Sequence, residues 1–228
     1  GQPEATRAWV AMQGFTASPG SHLVIPGSDG RAVAALVGIA DVQDPFALSA
    51  LPLSLPEGSY RLAPEPGLKL DPGLALLGWG LGAYQYDRYR RPSRAPARLV
   101  IDAQAAELSE AYAQLKASVL VRDLVNTPTQ DLGPDELEAV AHRLAKAYGG
   151  ECRSIVGDAL LKENFPAIHA VGRASHRAPR LIELEWGNPA HPRLAIVGKG
   201  VCFDTGGLDI KPAEGMRWMK KDMGGAAH

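Results

Sequence analysis

The sequence predicts an α/β protein: a small N-terminal α/β domain over residues 1–101, a linker helix over 102–127, and the start of a second domain over 128–228. In that second domain a mixed or parallel sheet is expected, flanked by helices. Three observations support this. Short β-prone runs separated by Gly, Ser and Pro fill the front of the chain. A long stretch of helix formers with few breakers follows it, and beyond that helical patterns alternate with short apolar runs.

In chain order, Ala8–Met12, His22–Ile25 and Ala32–Val37 read as strands of one small sheet. A Pro-rich passage runs from Pro45 to Pro72, and Gly73 to Arg90 reads as a helix ending in alternating aromatic and basic residues. Arg98–Ile101 is the next strand, and Ala103 to Val125 forms the linker helix. Pro134 suits the first turn of a helix whose buried face is Leu137, Val140, Ala141, Leu144 and Tyr148, ended by Gly149-Gly150. Strands are expected at Cys152–Val156, Ala167–Val171, Leu181–Trp186 and Leu194–Val197, with a helix over Asp158–Glu163. Because parallel sheets bind ligands beyond the carboxyl ends of their strands, the loop after Val197 is the place to look for chemistry.

Composition narrows the function classes. Hydrophobic residues at 46% and charged residues at 21% describe a chain able to bury a core, not a disordered one. With 24 basic and 25 acidic side chains the net charge is −1, so no long-range field draws it to nucleic acid or anionic lipid. No membrane partner is expected, since no uninterrupted apolar stretch could span one. Cys152 and Cys202 lack the C-x-x-C spacing of a redox or zinc pair, which suggests a reduced, cytoplasmic protein. The first residue is not Met and the last three are Ala226-Ala227-His228, which suggests a piece of a longer chain.

Between Val197 and His228 the polar residues capable of catalysis are concentrated. Lys199 is flanked by Gly198 and Gly200, which allow close approach of another group. Asp204 precedes the turn sequence Thr205-Gly206-Gly207, Lys211 precedes Pro212, and Asp222 adjoins a run of small residues, Gly224-Gly225-Ala226-Ala227. An ordinary ion pair between Lys199 and Asp204 is the plainer reading. Oxygen ligands with little His or Cys suit divalent ions such as Mn²⁺, Mg²⁺ or Zn²⁺.

The run Val197-Gly198-Lys199-Gly200-Val201-Cys202-Phe203-Asp204-Thr205-Gly206-Gly207-Leu208-Asp209-Ile210-Lys211-Pro212, continued by Met219-Lys220-Lys221-Asp222-Met223-Gly224-Gly225-Ala226-Ala227, closely resembles the metal-binding core of the leucyl aminopeptidases. Arg122–Pro128 looks like the segment after that family's interdomain helix, and Gly80–Tyr84 with Asp87–Tyr89 like its N-terminal domain. The resemblance implies a two-metal aminopeptidase acting on peptides with a free N-terminus and releasing residues such as leucine. It makes Lys199, Asp204 and Asp222 ligands of one ion, with Asp204 also bridging to the second, and Lys211 the catalytic lysine. Met219 would line the pocket for the substrate's first side chain, although core packing is its plainer role. Lys199, Asp204 and Lys211 would also meet the substrate.

Two divalent ions (Mn²⁺ or Zn²⁺, with Mg²⁺ a further candidate), a catalytic bicarbonate and a homo-hexamer come with the same resemblance. The family's second acidic motif, Asn-Thr-Asp-Ala-Glu-Gly-Arg, is not among these 228 residues. It supplies two metal ligands and the arginine that holds the bicarbonate. The chain alone is therefore expected to be inactive, with the remaining C-terminal part of the catalytic domain as a candidate separate chain. Departures at Cys202, where small or hydroxylated residues are usual, and at Gly133, where a helix-capping hydroxyl is expected, carry little functional weight. A non-catalytic DNA-binding or scaffold role is the alternative, and the charge balance gives DNA no support. Asp204-Thr205-Gly206 also matches the aspartic-protease triplet, against which the helical pattern at Pro134–Tyr148 argues. The Gly78-x-Gly80-x-Gly82 series follows no convincing strand and lacks a third glycine at the spacing of a dinucleotide loop, and reads as helix packing.

Overall fold

A computed structural model of the chain describes residues 4–228, and these form two compact units, 4–120 and 121–228. The first unit opens with a helix, α1 (Glu4–Met12), where a strand was expected over Ala8–Met12. A five-residue apolar run does not distinguish the two, and here Ala, Glu and Arg around it favour the helix. The Trp9 indole donates to the carbonyl of Val24 at 3.1 Å and ties α1 to the following hairpin.

That hairpin joins β1 (His22–Pro26) and β2 (Ala32–Val37) antiparallel, with Leu23 opposite Leu36 and Val24 opposite Ala35. After a short helical turn, α2 (Leu51–Ser54), β3 (Ser59–Arg61) pairs in parallel with β4 (Arg98–Val100) across the intervening helix α3 (Pro72–Ala83). Asp71 caps α3 by accepting from the Leu74 amide at 2.9 Å, and Pro72 occupies the first turn. The helix stops at Ala83, short of the expected Arg90, because Tyr84 turns to extended backbone (φ −59°, ψ 129°). Leu48, Leu51, Leu55, Ala75, Trp79 and Ala97 form the core of this unit, and Trp79 donates to the Ala97 carbonyl at 2.8 Å.

The boundary between the units falls within α4 (Ala105–Asn126), the expected long helix. In the second unit, α5 (Pro134–Tyr148) buries Leu137, Val140 and Ala145, and Gly149 ends it in the left-handed conformation at φ 70°. It packs on β5 (Glu151–Val156) and β6 (Arg180–Glu185). Those strands pair antiparallel, Glu151 opposite Glu185 through Val156 opposite Arg180, so the sheet of this unit is not parallel as the alternation of elements suggested. Between them lie α6 (Ala159–Lys162) and α7 (Pro166–Gly172).

The α7 helix replaces the strand expected at Ala167–Val171. Pro166 starts it, and the His169 ring meets the Asp158 carboxylate at 3.1 Å, which ties the new helix to the preceding turn. Leu194–Val197, also expected as a strand, has no regular structure: Leu194, Ile196 and Val197 are 86%, 85% and 95% exposed. This run pairs with none of the described strands, and an apolar run without a hydrogen-bonding partner cannot form a sheet. The chain closes with α8 (Ala213–Arg217), a 3₁₀ turn at Met219–Lys221 and a helical turn, α9 (Gly224–Ala227). The overall class is mixed α/β, as the sequence indicated, and among the described residues no helix is long and apolar enough to cross a membrane.

Candidate metal centre

Glycines bring the two ends of the polar segment together. The Ala226 amide donates to the Lys199 carbonyl at 2.9 Å, laying the Gly198–Gly200 stretch against α9. A β-carbon at Gly198 would stand 2.3 Å from the Gly225 carbonyl oxygen, and one at Gly225 would stand 2.9 Å from the Lys199 nitrogen. Two backbones can approach this closely only where neither carries a side chain. Small residues on both partners thus fix where Lys199 leaves the backbone.

A second device brings Lys211 back to Asp204. Gly206 and Gly207 take φ of +92° and +78°, the Gly206 amide donates to Asp204 Oδ1 at 2.9 Å, and the Lys211 amide closes the loop on the Thr205 carbonyl at 2.9 Å. The Lys211 ammonium then lies 2.8 Å from Asp204 Oδ1 and 3.0 Å from the sulfur of Met219. The hydrogen bond from Lys211 holds the Asp204 carboxyl below its ordinary pKa against the opposing effect of burial. The Gly206 amide and the positive charges of Lys211 and Lys199 act in the same direction.

Of the expected site residues, then, Lys211 is in direct contact with both Asp204 and Met219, and Lys199 lies within electrostatic reach of Asp204. Asp222 follows the 3₁₀ turn, its amide bonded to the Met219 carbonyl at 2.9 Å, and its carboxylate lies 3.5 Å from the Lys221 ammonium. Met219 is 3% exposed, so it serves as packing whatever else it does. Among the described residues no group of three or more His, Cys, Asp or Glu converges on one point. A divalent ion here would draw on the Lys199 amine together with the Asp204 and Asp222 carboxylates. Hard carboxylate oxygens and one nitrogen suit Mn²⁺ or Zn²⁺, and an adjacent dication lowers an ammonium pKa enough to free its lone pair.

Two further features carry no signal along the chain. The Lys220 ammonium reaches Asn126 Oδ1 at 3.3 Å, across 94 positions of chain. Arg177 gathers the Thr129 carbonyl at 3.1 Å, the Gln130 carbonyl at 2.9 Å and Glu136 Oε2 at 2.8 Å around the start of α5. Neither residue belongs to a periodic pattern, and only long-range packing pairs them.

Known proteins resemble this chain in sequence and fold. Residues 119–228 match the family described as the cytosol aminopeptidase family, catalytic domain, and residues 1–102 match the M17 aminopeptidase N-terminal domain. The chain belongs to the cytosol aminopeptidase family. Its curated relatives include probable cytosol aminopeptidases from Leifsonia xyli, 32% identical over the whole of this chain and 49% of the relative, and from Corynebacterium efficiens, 38% identical over 67% of this chain and 32% of the relative. Among solved structures, a cytosol aminopeptidase from Coxiella burnetii matches all of this chain and 49% of its own, at 41% identity and a TM-score of 0.89. The bottromycin maturation enzyme BotP in complex with Mn matches 96% of this chain and 50% of its own, at 33% identity and a TM-score of 0.78. The chain spans about half the length of these cytosol aminopeptidases, or less.

Proposed function

We propose that the chain contributes one metal site and the catalytic lysine of a cytoplasmic two-metal aminopeptidase that releases N-terminal residues such as leucine from peptides. The observation that carries this reading is the contact set Asp204–Lys211–Met219, held on a backbone that glycines at 198, 206, 207 and 225 allow. Lys199, Asp204 and Asp222 would hold one divalent ion, and Asp204 would be shared with a second. The manganese bound in the related BotP favours Mn²⁺. When bound, the ions supply Lewis-acid stabilisation of negative charge.

The chain's own residues account for the rest. The Lys211 ammonium, 2.8 Å from Asp204 Oδ1, can donate a hydrogen bond to the oxygen of a scissile carbonyl, where charge develops as the carbon is attacked. Met219, whose sulfur meets the Lys211 ammonium, would give the substrate's first side chain an apolar wall. Residues 1–101 serve as an N-terminal domain, 102–127 as the linking helix and 128–228 as the first part of the catalytic domain. A hexameric assembly and a bicarbonate held by the second acidic motif complete the reading.

Because that motif is not among these residues, the 228-residue polypeptide alone is inactive in this reading and binds metal weakly. Mn²⁺ calorimetry and leucine release from Leu-peptides test it together. Binding of Mn²⁺ that is abolished by Asp204→Asn, with release of leucine only when a polypeptide carrying the second motif is supplied, supports the reading. Leucine release by the 228 residues alone, or Mn²⁺ uptake indifferent to Asp204→Asn, overturns it.

A further inference from the structure

We infer that Asn126 is a positioning residue for this site and acts through Lys220. Asn126 is the last residue of α4, and the helix end is clasped just behind it. The Thr127 amide bonds to the carbonyls of Asp123 and Leu124 at 3.0 and 3.2 Å, the Thr127 hydroxyl donates to the Asp123 carbonyl at 2.7 Å, and Thr127 is only 5% exposed. A backbone held this way presents the Asn126 side-chain carbonyl from a fixed point. The C-terminal end of a helix also favours a cation. Half-buried Lys220 supplies that cation, 3.3 Å from Asn126 Oδ1.

Lys220 stands in the middle of the three-residue 3₁₀ turn Met219–Lys221. Such a turn has poor hydrogen-bond geometry and little intrinsic stability, and here two bonds hold it, Lys221 N to Trp218 O at 3.1 Å and Asp222 N to Met219 O at 2.9 Å. On one side of Lys220 is Met219, whose sulfur meets the Lys211 ammonium. On the other, Asp222 leads into Met223, which is 1% exposed, and Gly224, where a β-carbon would lie in ordinary contact with Val125 at 3.7 Å. The turn therefore runs along the end of α4, and the Asn126–Lys220 bond is its polar anchor. Without that bond the turn can rotate about its own axis, and Met219 and Asp222 rotate with it. The importance of that rotation for metal binding rests on the role proposed above for Asp222; the tether itself does not.

The test compares the unaltered chain with Asn126→Ala, Asn126→Asp, Lys220→Met and the Asn126→Ala/Lys220→Met double variant. Amide hydrogen exchange over residues 219–227, Mn²⁺ affinity and thermal midpoint are measured for each. Asn126→Ala is expected to speed exchange in 219–224 and to weaken Mn²⁺ binding by about tenfold, the scale for partners that orient ligands. Asn126→Asp keeps the acceptor oxygen and restores both. Lys220→Met reproduces the alanine defect, and the double variant adds nothing to it, as required of two residues that act through one bond. Unchanged exchange in Asn126→Ala, failure of the aspartate to restore it, or additive effects in the double variant overturn the inference. If the unaltered chain takes up no Mn²⁺, the metal reading falls, and the exchange measurements alone decide the tether by the same criteria.

Discussion

The ammonium of Lys211 lies 2.8 Å from Asp204 Oδ1, closing a loop in which the Asp204 carboxylate also accepts the Gly206 amide at 2.9 Å. The Asp204 carboxyl is held below its ordinary pKa, first by the bond from Lys211. A carboxyl whose folded pKa is depressed contributes stability above its unfolded value of about 3.9, and loses that contribution as pH falls through the lower folded value. With the Asp204 side chain 39% exposed, solvent screening keeps this contribution small. Carbonyl-detected NMR titration should show Asp204 ionising below the ordinary range in the unaltered chain and returning towards it in Lys211→Met. Equal titration curves in the two proteins would show that Lys211 does not hold this carboxylate.

The close approach of Gly198 to Gly225 makes a second prediction. A methyl group at 198 would meet the Gly225 carbonyl oxygen at 2.3 Å, and backbone on both sides cannot yield as a side chain would. Gly198→Ala should cost about 1–3 kcal/mol, the usual scale of overpacking, and weaken Mn²⁺ binding along with it. Urea unfolding of the variant checks the first effect, and calorimetry the second. A neutral substitution would mean that Lys199 is not held by this contact.

Gly133 reverses an expectation from sequence. It precedes α5 at the position where a serine would ordinarily improve the helix start, yet a β-carbon there would stand 1.9 Å from Arg177 Nη1. Gly133→Ser should displace the guanidinium from Thr129, Gln130 and Glu136 and destabilise the chain by about 1–3 kcal/mol, since a charge and the half-buried Thr129 carbonyl lose partners. Thermal unfolding decides between this and the gain that capping alone predicts.

Cys202 is 6% exposed, and burial pushes its thiol up to about 11. Burial also raises the thiol of half-buried Cys152, with the Glu138 charge adding to the effect. For Cys202 the folded pKa exceeds the unfolded one of about 8.5, so its contribution to stability is complete below that value and declines as pH rises towards 11. Cys202→Ala should remove this alkaline decline, measured as the change in urea midpoint between about pH 8 and about pH 10, on either side of the thiol's unfolded value of about 8.5. Alkylation of folded protein at neutral pH should also be slow at Cys202, because little thiolate forms there.

Much of the architecture was legible because its signals are local. Pro134 at the start, an apolar face through Leu137 and Val140, and Gly149 at the end delimit α5 within the sequence itself. The same holds for the Asp204–Lys211 loop, since two adjacent glycines announce the positive φ angles that close it. Short apolar runs carry no such signal. Ala8–Met12 and Ala167–Val171 became helices, and Leu194–Val197 became neither helix nor strand, because a strand exists only by virtue of its neighbour.

By itself, then, the sequence determined the mixed α/β class, the long helices, and the identities and spacing of Lys199, Asp204, Lys211, Met219 and Asp222. Those are properties of nearest neighbours along the chain and of residue chemistry. Tertiary structure decided what no spacing records: the antiparallel pairing of β5 with β6, the guanidinium of Arg177 in the space left by Gly133, and the reach of Lys220 to Asn126. Each joins groups far apart in sequence, and which partners meet depends on the packing of whole elements.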